Sequence, residues 1–413
     1  MLALGVAVDG CSEYMTPRMD EVWPLIESGL QDSDASVRKA TCVAVSCLCE
    51  WLEEQCAAKH AVLVPVSMAF PHNLHCCQLL LQAIMNLIND PVAQRSACTA
   101  LDALLEILQD SIEQYLHLIM ERLAGLLETA PLKVKSVVTG AIGSASHASK
   151  ARFLPYFQPT MNRLSHFLTL TNEGDEIELR GIAMDAIGTF AEAVGKDVFR
   201  PYFPDMMKHA FQGIETGSAR LHECSFLFFG VMARVFGEEF APYLPQVVPP
   251  LLASCKQLEK GEELECGSQI FIFSSSLSDS NYPPVSVSDA ASAFSSGSSP
   301  VHALDVDVNG LEMEDLDADK IMDVNSAIAV EKEIAADTIG TLFAATQSHF
   351  LPFVEQCTLE LISLLTHYYE GIRKSATDSL LEIVRTFYDL SEHEEWVAGV
   401  NAVGELCYLT TFC

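Results

Sequence analysis

Two short markers recur along this chain in step with each other, and that periodicity limits its fold more than any other feature. The first marker is a phenylalanine followed two positions later by proline. It appears as Phe153-Leu154-Pro155-Tyr156-Phe157, Phe199-Arg200-Pro201-Tyr202-Phe203, Phe240-Ala241-Pro242-Tyr243-Leu244 and Phe350-Leu351-Pro352-Phe353-Val354. The prolines stand 46, 41 and 110 residues apart. The second marker is a glycine closing Ala141-Ile142-Gly143, Ala186-Ile187-Gly188, Phe228-Phe229-Gly230 and Thr338-Ile339-Gly340, and these glycines stand 45, 42 and 110 apart. Two independent markers that share a period of about forty residues, and share one long gap, are the signature of a repeat array.

Each repeat reads as a pair of helices. The first opens near the aromatic and the proline, which the first turn of a helix tolerates because its N–H groups have no partner there. It continues amphipathically, as in Met206-Met207-Lys208-His209-Ala210-Phe211. The second carries alanine and glycine at close-approach positions, as in Ala183-Met184-Asp185-Ala186-Ile187-Gly188. Turns such as Asp32-Ser33-Asp34, Asn89-Asp90-Pro91 and Glu173-Gly174-Asp175-Glu176 precede it and offer cap chemistry and favourable charge at a helix start. No convincing run of alternating strands appears. A single pair cannot bury its apolar faces, whereas stacked pairs form a continuous core. The fold class expected is therefore all-α, an α-solenoid of stacked antiparallel pairs.

Residues 14–56, 57–110, 111–150, 151–195, 196–237 and 348–389 each read as one pair, the second overlong with an irregular stretch near 70–86. Residues 1–13 read as the tail of a second helix. Residues 238–259 read as a first helix whose partner is expected only at 326–347. The organisation expected is repeats over 1–259, an insertion over 260–324, repeats over 325–390 and an atypical tail over 391–413. Apolar stretches at Met1 to Val8 and Val397 to Phe412, where a polar cap is expected, predict fraying or self-association.

Charge narrows the partner class. With 56 acids against 24 lysines and arginines, the formal charge is −32. Nucleic-acid binding needs a basic footprint, so it is not expected, and anionic lipid is disfavoured as well. Basic proteins would be drawn in. The insertion concentrates this charge. Cys266 to Val301 is serine-rich, and Asp305 to Asp323 holds eight acids and one lysine. Such a composition buries too little apolar surface to order itself, so a disordered polyanion is expected there. The 14 cysteines are too sparse for a disulfide scaffold and lie in apolar runs such as Thr41 to Cys49. They read as reduced, buried thiols of a cytosolic or nuclear protein.

Catalytic and metal motifs are weak. Asp305-Val306-Asp307-Val308-Asn309-Gly310 imitates half of a calcium loop, but its twelfth position is Leu316 where a bidentate Glu is needed. His72, His75, Cys76 and Cys77 cluster without the spacing of a zinc site. Cys224 with His222 precedes Phe226-Leu227-Phe228-Phe229 on a packed helix and reads as a core thiol. No phosphate loop, nucleophile elbow or H-E-x-x-H motif is present. No enzyme activity, cofactor or metal is expected.

The helix pairs, the second-helix starts Val37-Arg38-Lys39-Ala40, Leu179-Arg180-Gly181 and Ile372-Arg373-Lys374-Ser375-Ala376, and the acidic inter-helix insertion resemble HEAT repeats of the importin-β (karyopherin-β) family. The resemblance covers roughly residues 3–265 and 322–390. It implies nuclear import of basic cargo such as histones or ribosomal proteins, bound on a concave surface of second helices. It also implies contact with Phe-Gly segments of the nuclear pore, passage between cytoplasm and nucleus, and no membrane insertion. The Ran GTPase would be a partner of a longer chain, because no counterpart of the family's N-terminal arch is visible here. Glu312, Glu314, Asp315, Asp317 and Asp319 match the acidic insertion and are the cargo or Ran candidates. Arg38, Lys39, Arg180, Arg373 and Lys374 match the second-helix pattern, with bonding to neighbouring-repeat acids such as Asp34 as their expected role. The competing reading is a HEAT-repeat scaffold subunit of a non-transport complex.

Overall fold

A computed structural model describes residues 1–56, 84–108, 112–172, 174–257 and 315–391, with the backbone alone at 9, 114 and 315–325. All regular structure among these residues is helical. The chain divides into two compact units, Met1–Gly237 and Glu238–Cys413.

The first unit holds α1 (Leu2–Met15), α2 (Met19–Leu30), α3 (Ala35–Trp51), α4 (Gln94–Leu108), α5 (Glu113–Thr129), α6 (Leu132–Ser149), α7 (Leu154–Leu164), α8 (Asp175–Val194), α9 (Phe203–Glu215) and α10 (Ala219–Phe236). The pairing follows the sequence period: α2 with α3, α5 with α6, α7 with α8, and α9 with α10. The second helices also pack on one another in chain order, α1 on α3, α3 on α4, α4 on α6, α6 on α8 and α8 on α10. In the second unit, α11 (Leu244–Lys256) packs on α12 (Asp315–Thr346), α13 (Leu351–Leu364) packs on α14 (Glu370–Leu390), and α12 packs on α14.

Both markers sit at these contacts. Phe153, Phe199, Phe240 and Phe350 are all fully buried. Each packs its ring on the aromatic three residues later, with centroids 6.3, 6.1, 5.7 and 5.8 Å apart. The prolines are less uniform than expected. Pro155 and Pro352 occupy the first turn of α7 and α13. Pro201 lies in a turn ahead of α9 and Pro242 in a 3₁₀ turn ahead of α11, and there Pro204 and Pro245 fill the first helical turn instead. The burial of the phenylalanine sets the register, and the helix starts wherever a proline is next tolerated.

The marker glycines let second helices approach closely. A Cβ on Gly143 would lie 3.5 Å from the Ala186 backbone, and one on Gly340 would lie 2.8 Å from Ser379 Cα. Around them the core is aromatic and aliphatic, including Phe190, Phe226, Phe229 and Phe343. Burial pushes the Cys42, Cys98, Cys255 and Cys357 thiols up to about 12, so these are protonated, apolar core groups. No helix among the described residues is long and apolar enough to cross a membrane.

Two boundaries depart from the expectation. The second helix expected at 326–347 begins at Asp315, so Asp315, Asp317, Asp319 and Asp323 fall within its first turns. Acid density argues against a buried helix interior, yet the positive end of a helix dipole favours it. The irregular stretch near 70–86 lies outside the described residues except at 84–86, which are helical.

Each second helix that leads into a marker ends on a residue with positive φ. These are Lys150 (51°), Gly195 (79°), Gly237 (58°) and Gln347 (48°), three or four positions before the buried phenylalanine. Where L side chains occupy such a conformation they cost about 1–3 kcal/mol. Gln347→Gly is therefore expected to raise the midpoint of unfolding, by roughly 0.4–1 kcal/mol in stability. Gly195→Ala is expected to lower it by at least as much. Chemical denaturation of both variants checks the signs.

Candidate binding surface

Within each unit the second helices stack in chain order, and an arginine organises the turn before the helix in several repeats. Arg38 donates through Nη1 to the carbonyls of Asp32 and Ser33 at 2.8 and 3.0 Å, and through Nη2 to the Asp90 carboxylate of the next repeat. Arg373 repeats the first half of this pattern, donating to the carbonyls of His367 and Tyr368 at 2.8 and 2.6 Å. The expected acid partner of Arg38 was Asp34. Asp34 instead caps α3, accepting the Ser36 N–H at 2.8 Å, and the equivalent acid one repeat on takes the arginine. Asp90 accepts the Val92 N–H at 3.0 Å in the same way, and Arg38 with that amide holds its carboxyl below the ordinary range. Lys374 lies near Glu333 of the preceding repeat and partly offsets the rise that burial causes in that carboxyl.

Farther along the row, side chains bridge second helices at the repeat spacing. On α8 and α10 four of the acids meet an arginine. Arg220 lies 3.3 Å from Glu178, 3.6 Å from Asp185 and 3.5 Å from Glu223, and Arg234 lies 3.1 Å from Glu192. Burial pushes the Asp185 carboxyl up, and Arg220 opposes that shift.

The α3–α4–α6 segment differs. Glu50 near the end of α3 and Glu53 just after it lie near Glu106 on α4, one turn from Asp102. Among the described residues no lysine or arginine lies within ion-pair distance of these four acids. The Ser144 hydroxyl of α6 donates to Asp102 Oδ1 at 2.6 Å. Burial pushes Asp102 up to about 6, against the Ser144 bond and reinforced by Glu106. Glu106 is also raised, first by burial; His147 opposes this, while Glu53 and Glu50 add to it. The result is a cluster of carboxylates with one histidine beside it, and the electrostatic demand it leaves is for an external cation.

Sequence reasoning did not select these acids. The legible signal was Asp102 and Glu106 at i and i+4 on a second helix, with Ser144 one period beyond Asp102. Of the candidates it did select, Glu312 and Glu314 lie outside the described residues, and Asp315, Asp317 and Asp319 lie on α12, where only the backbone is described. The calcium-like segment 305–310 and the His72–Cys77 cluster also lie outside. Among the described residues no group of acids, histidines and cysteines is placed to hold a metal. Cys224 is fully buried with its thiol well above the ordinary range, and donates to Asp185 Oδ2 at 3.4 Å. His222 contacts the Ile214 carbonyl at 2.8 Å through Nε2. The two serve packing and do not form a nucleophile–base pair.

A family model described as importin subunit beta-1-like, TPR repeats, matches residues 28–274. The chain belongs to the importin-β family. This is a family of transport receptors and not of enzymes. The chain is 37% identical over 402 residues to a probable importin subunit beta-4 of Schizosaccharomyces pombe, covering 97% of this chain and 34% of that protein. It is 26% identical over 250 residues to human importin-4, covering 60% of this chain and 21% of the relative. Among solved structures, Kap121p matches with a TM-score of 0.63 at 18% identity, over 94% of this chain and 34% of that one. The chain thus spans about a third of the length of such relatives, and its importin solenoid fold is shared with them.

The pH behaviour of Asp102 follows from its position. Its folded carboxyl titrates near 6 against an ordinary 3.8, so its contribution to stability is full below 3.8 and is lost as pH rises through 6. That difference corresponds to about 3 kcal/mol at most. Asp102→Asn keeps an acceptor for Ser144 and removes the charge. It is expected to raise stability at pH 7 by about 1–3 kcal/mol, and to flatten the dependence of the unfolding midpoint between pH 4 and 6.

Proposed function

We propose that this chain is the cargo-binding part of a nuclear import receptor, and that it holds lysine- and arginine-rich segments on its second-helix row. The observation that carries this reading is the cluster of Glu50, Glu53 and Asp102 around Glu106, carboxylates from two repeats that no lysine or arginine among the described residues neutralises. Keeping an ionised, largely buried Asp102 in this state costs folding free energy, and a bound ammonium or guanidinium would recover it. Family membership gives the class of activity. Support for peptide cargo comes from Kap121p, whose structures include complexes with the extreme C-terminus of Cdc14p, with Pho4p and with Nup53p. Histones and ribosomal proteins are the basic cargo we favour, with passage between cytoplasm and nucleus, pore Phe-Gly contacts and, in a longer chain, Ran as the remaining partners.

The acids at 312–319 form the second element of the reading. They supply further negative charge beside α12 and screen cargo from nucleic acid. A scaffold subunit that docks folded proteins would not need either group.

The test is binding of a fluorescent lysine-rich histone-tail peptide by anisotropy. Affinity should fall steeply between low and high salt, because the contacts are charge pairs near the surface. It should also fall as pH drops through about 6, where Asp102 takes up a proton. Combined Glu50→Gln, Asp102→Asn and Glu106→Gln substitution should weaken binding about tenfold or more, at about 0.5–1 kcal/mol for each lost contact. Replacing the acids at 312–319 with amides should weaken it further. Affinity unchanged by salt and by both sets of substitutions would favour the scaffold reading.

A further inference from the structure

One of these arginines is deeply buried and meets no acid among the described residues. Arg180 on α8 stands in the frame of Arg38 and Arg373, as Leu179-Arg180-Gly181 stands to Val37-Arg38-Lys39 and Ile372-Arg373-Lys374. Like them it donates to a carbonyl of the turn before its helix, here Leu170 at 3.3 Å. Unlike Arg38, it makes no ion pair among the described residues. Arg180 is only 4% exposed, and its buried Nε–H has no partner. A buried guanidinium stays charged and is costly to leave without a counter-ion.

The reason lies one repeat on. The acid that Arg38 meets, Asp90, stands in the turn leading into the next second helix. The corresponding turn after Arg180 is Thr216-Gly217-Ser218, with Ser218 as the residue before α10. An uncharged serine occupies the place of the acid, and its side chain makes no cap bond. Between this turn and the one before α8 lies a cavity of about 550 Å³, lined by Thr171, Ile177, Arg180, Thr216, Ser218 and Arg220 among others. The N-terminal ends of α8 and α10 both border it without side-chain caps, and α8 carries Asp175, Glu176 and Glu178 in its first turn while α10 carries no acid there. Glu178 is also on the wall, paired with Arg220 at 3.3 Å.

We propose that this cavity binds a carboxylate side chain of a partner protein, which takes the place on Arg180 that Asp90 takes on Arg38. A singly charged carboxylate suits the site better than a phosphate dianion, because Glu178 shares the wall. This goes beyond the cation-binding patch: it concerns other residues and the opposite charge. It would give a receptor drawn to basic segments a point at which an acidic residue flanking the basic cluster is read.

The decisive experiment builds the missing acid into the chain. Ser218→Asp, Arg180→Gln and the double variant are compared with the unchanged protein, each with and without sodium acetate, and with sodium phosphate at matched ionic strength. The readout is the thermal unfolding midpoint, with circular dichroism confirming that each variant is folded. Acetate is expected to raise the midpoint of the unchanged protein more than phosphate does, and to lose that effect in both single variants. Ser218→Asp is expected to raise the midpoint by a few degrees without acetate, and by clearly less in the Arg180→Gln background. That difference separates an ion pair with Arg180 from improved helix capping. An acetate effect that persists in Arg180→Gln and Ser218→Asp, or a gain from Ser218→Asp that is equal in both backgrounds, overturns the proposal. A larger response to phosphate than to acetate overturns its choice of ligand.

Discussion

The close approach of consecutive second helices is the constraint on which the rest of each unit depends. Gly340 against Ser379 leaves no room for a side chain, and at Gly143 against Ala186 and Gly188 against Phe228 and Val231 an added Cβ would lie in direct contact with the next repeat. Backbones that near one another place side chains of adjacent repeats within bonding distance at the repeat spacing. Ser144 reaches Asp102, Arg234 reaches Glu192, and the Ser379 hydroxyl reaches the Ala336 carbonyl at 2.7 Å. The phenylalanines of the first marker do complementary work. They plug the space between a helix end and the next helix start, so each repeat enters its neighbour in one register.

Charge is distributed unevenly on this frame. On α8 and α10 two arginines meet four of the acids, and ion pairs of that exposure add little to stability. On α3 and α4 the acids stand together without such partners. The same backbone row thus offers a neutralised stretch and an electronegative one. The net charge of −32 does not by itself reveal this, since it reports the sum and not the pairing. Affinity for a basic ligand depends on which carboxylates remain without an internal cation.

The repeat was legible because its markers are steric. A buried phenylalanine, a proline near a helix start and a glycine at a helix crossing each tolerate few substitutes, so they stand out in one sequence. Partner choice was not legible to the same degree. Asp34 and Asp90 look alike in sequence, and only the fold shows that Asp34 serves as a helix cap while Asp90 also meets Arg38. Likewise Asp102 and Glu106 are an ordinary i, i+4 pair until the fold brings Glu50 and Glu53 beside Glu106. The start of α12 at Asp315 was missed for a related reason: acid-rich composition speaks for solvent exposure, and it is equally what the first turns of a helix favour.

The segment between α11 and α12 is anchored at both ends to one helix pair, where the Ser254 hydroxyl donates to the Glu331 carboxylate. Both residues are buried, and 77 positions separate them. The pairing of α11 with α12 is therefore fixed by a polar contact in an apolar setting, whatever the length of chain between them. Replacing Ser254 with alanine would leave that carboxylate oxygen short of a donor, at about 1–3 kcal/mol, so the match between these two helices is chosen by chemistry and not by nearness in sequence.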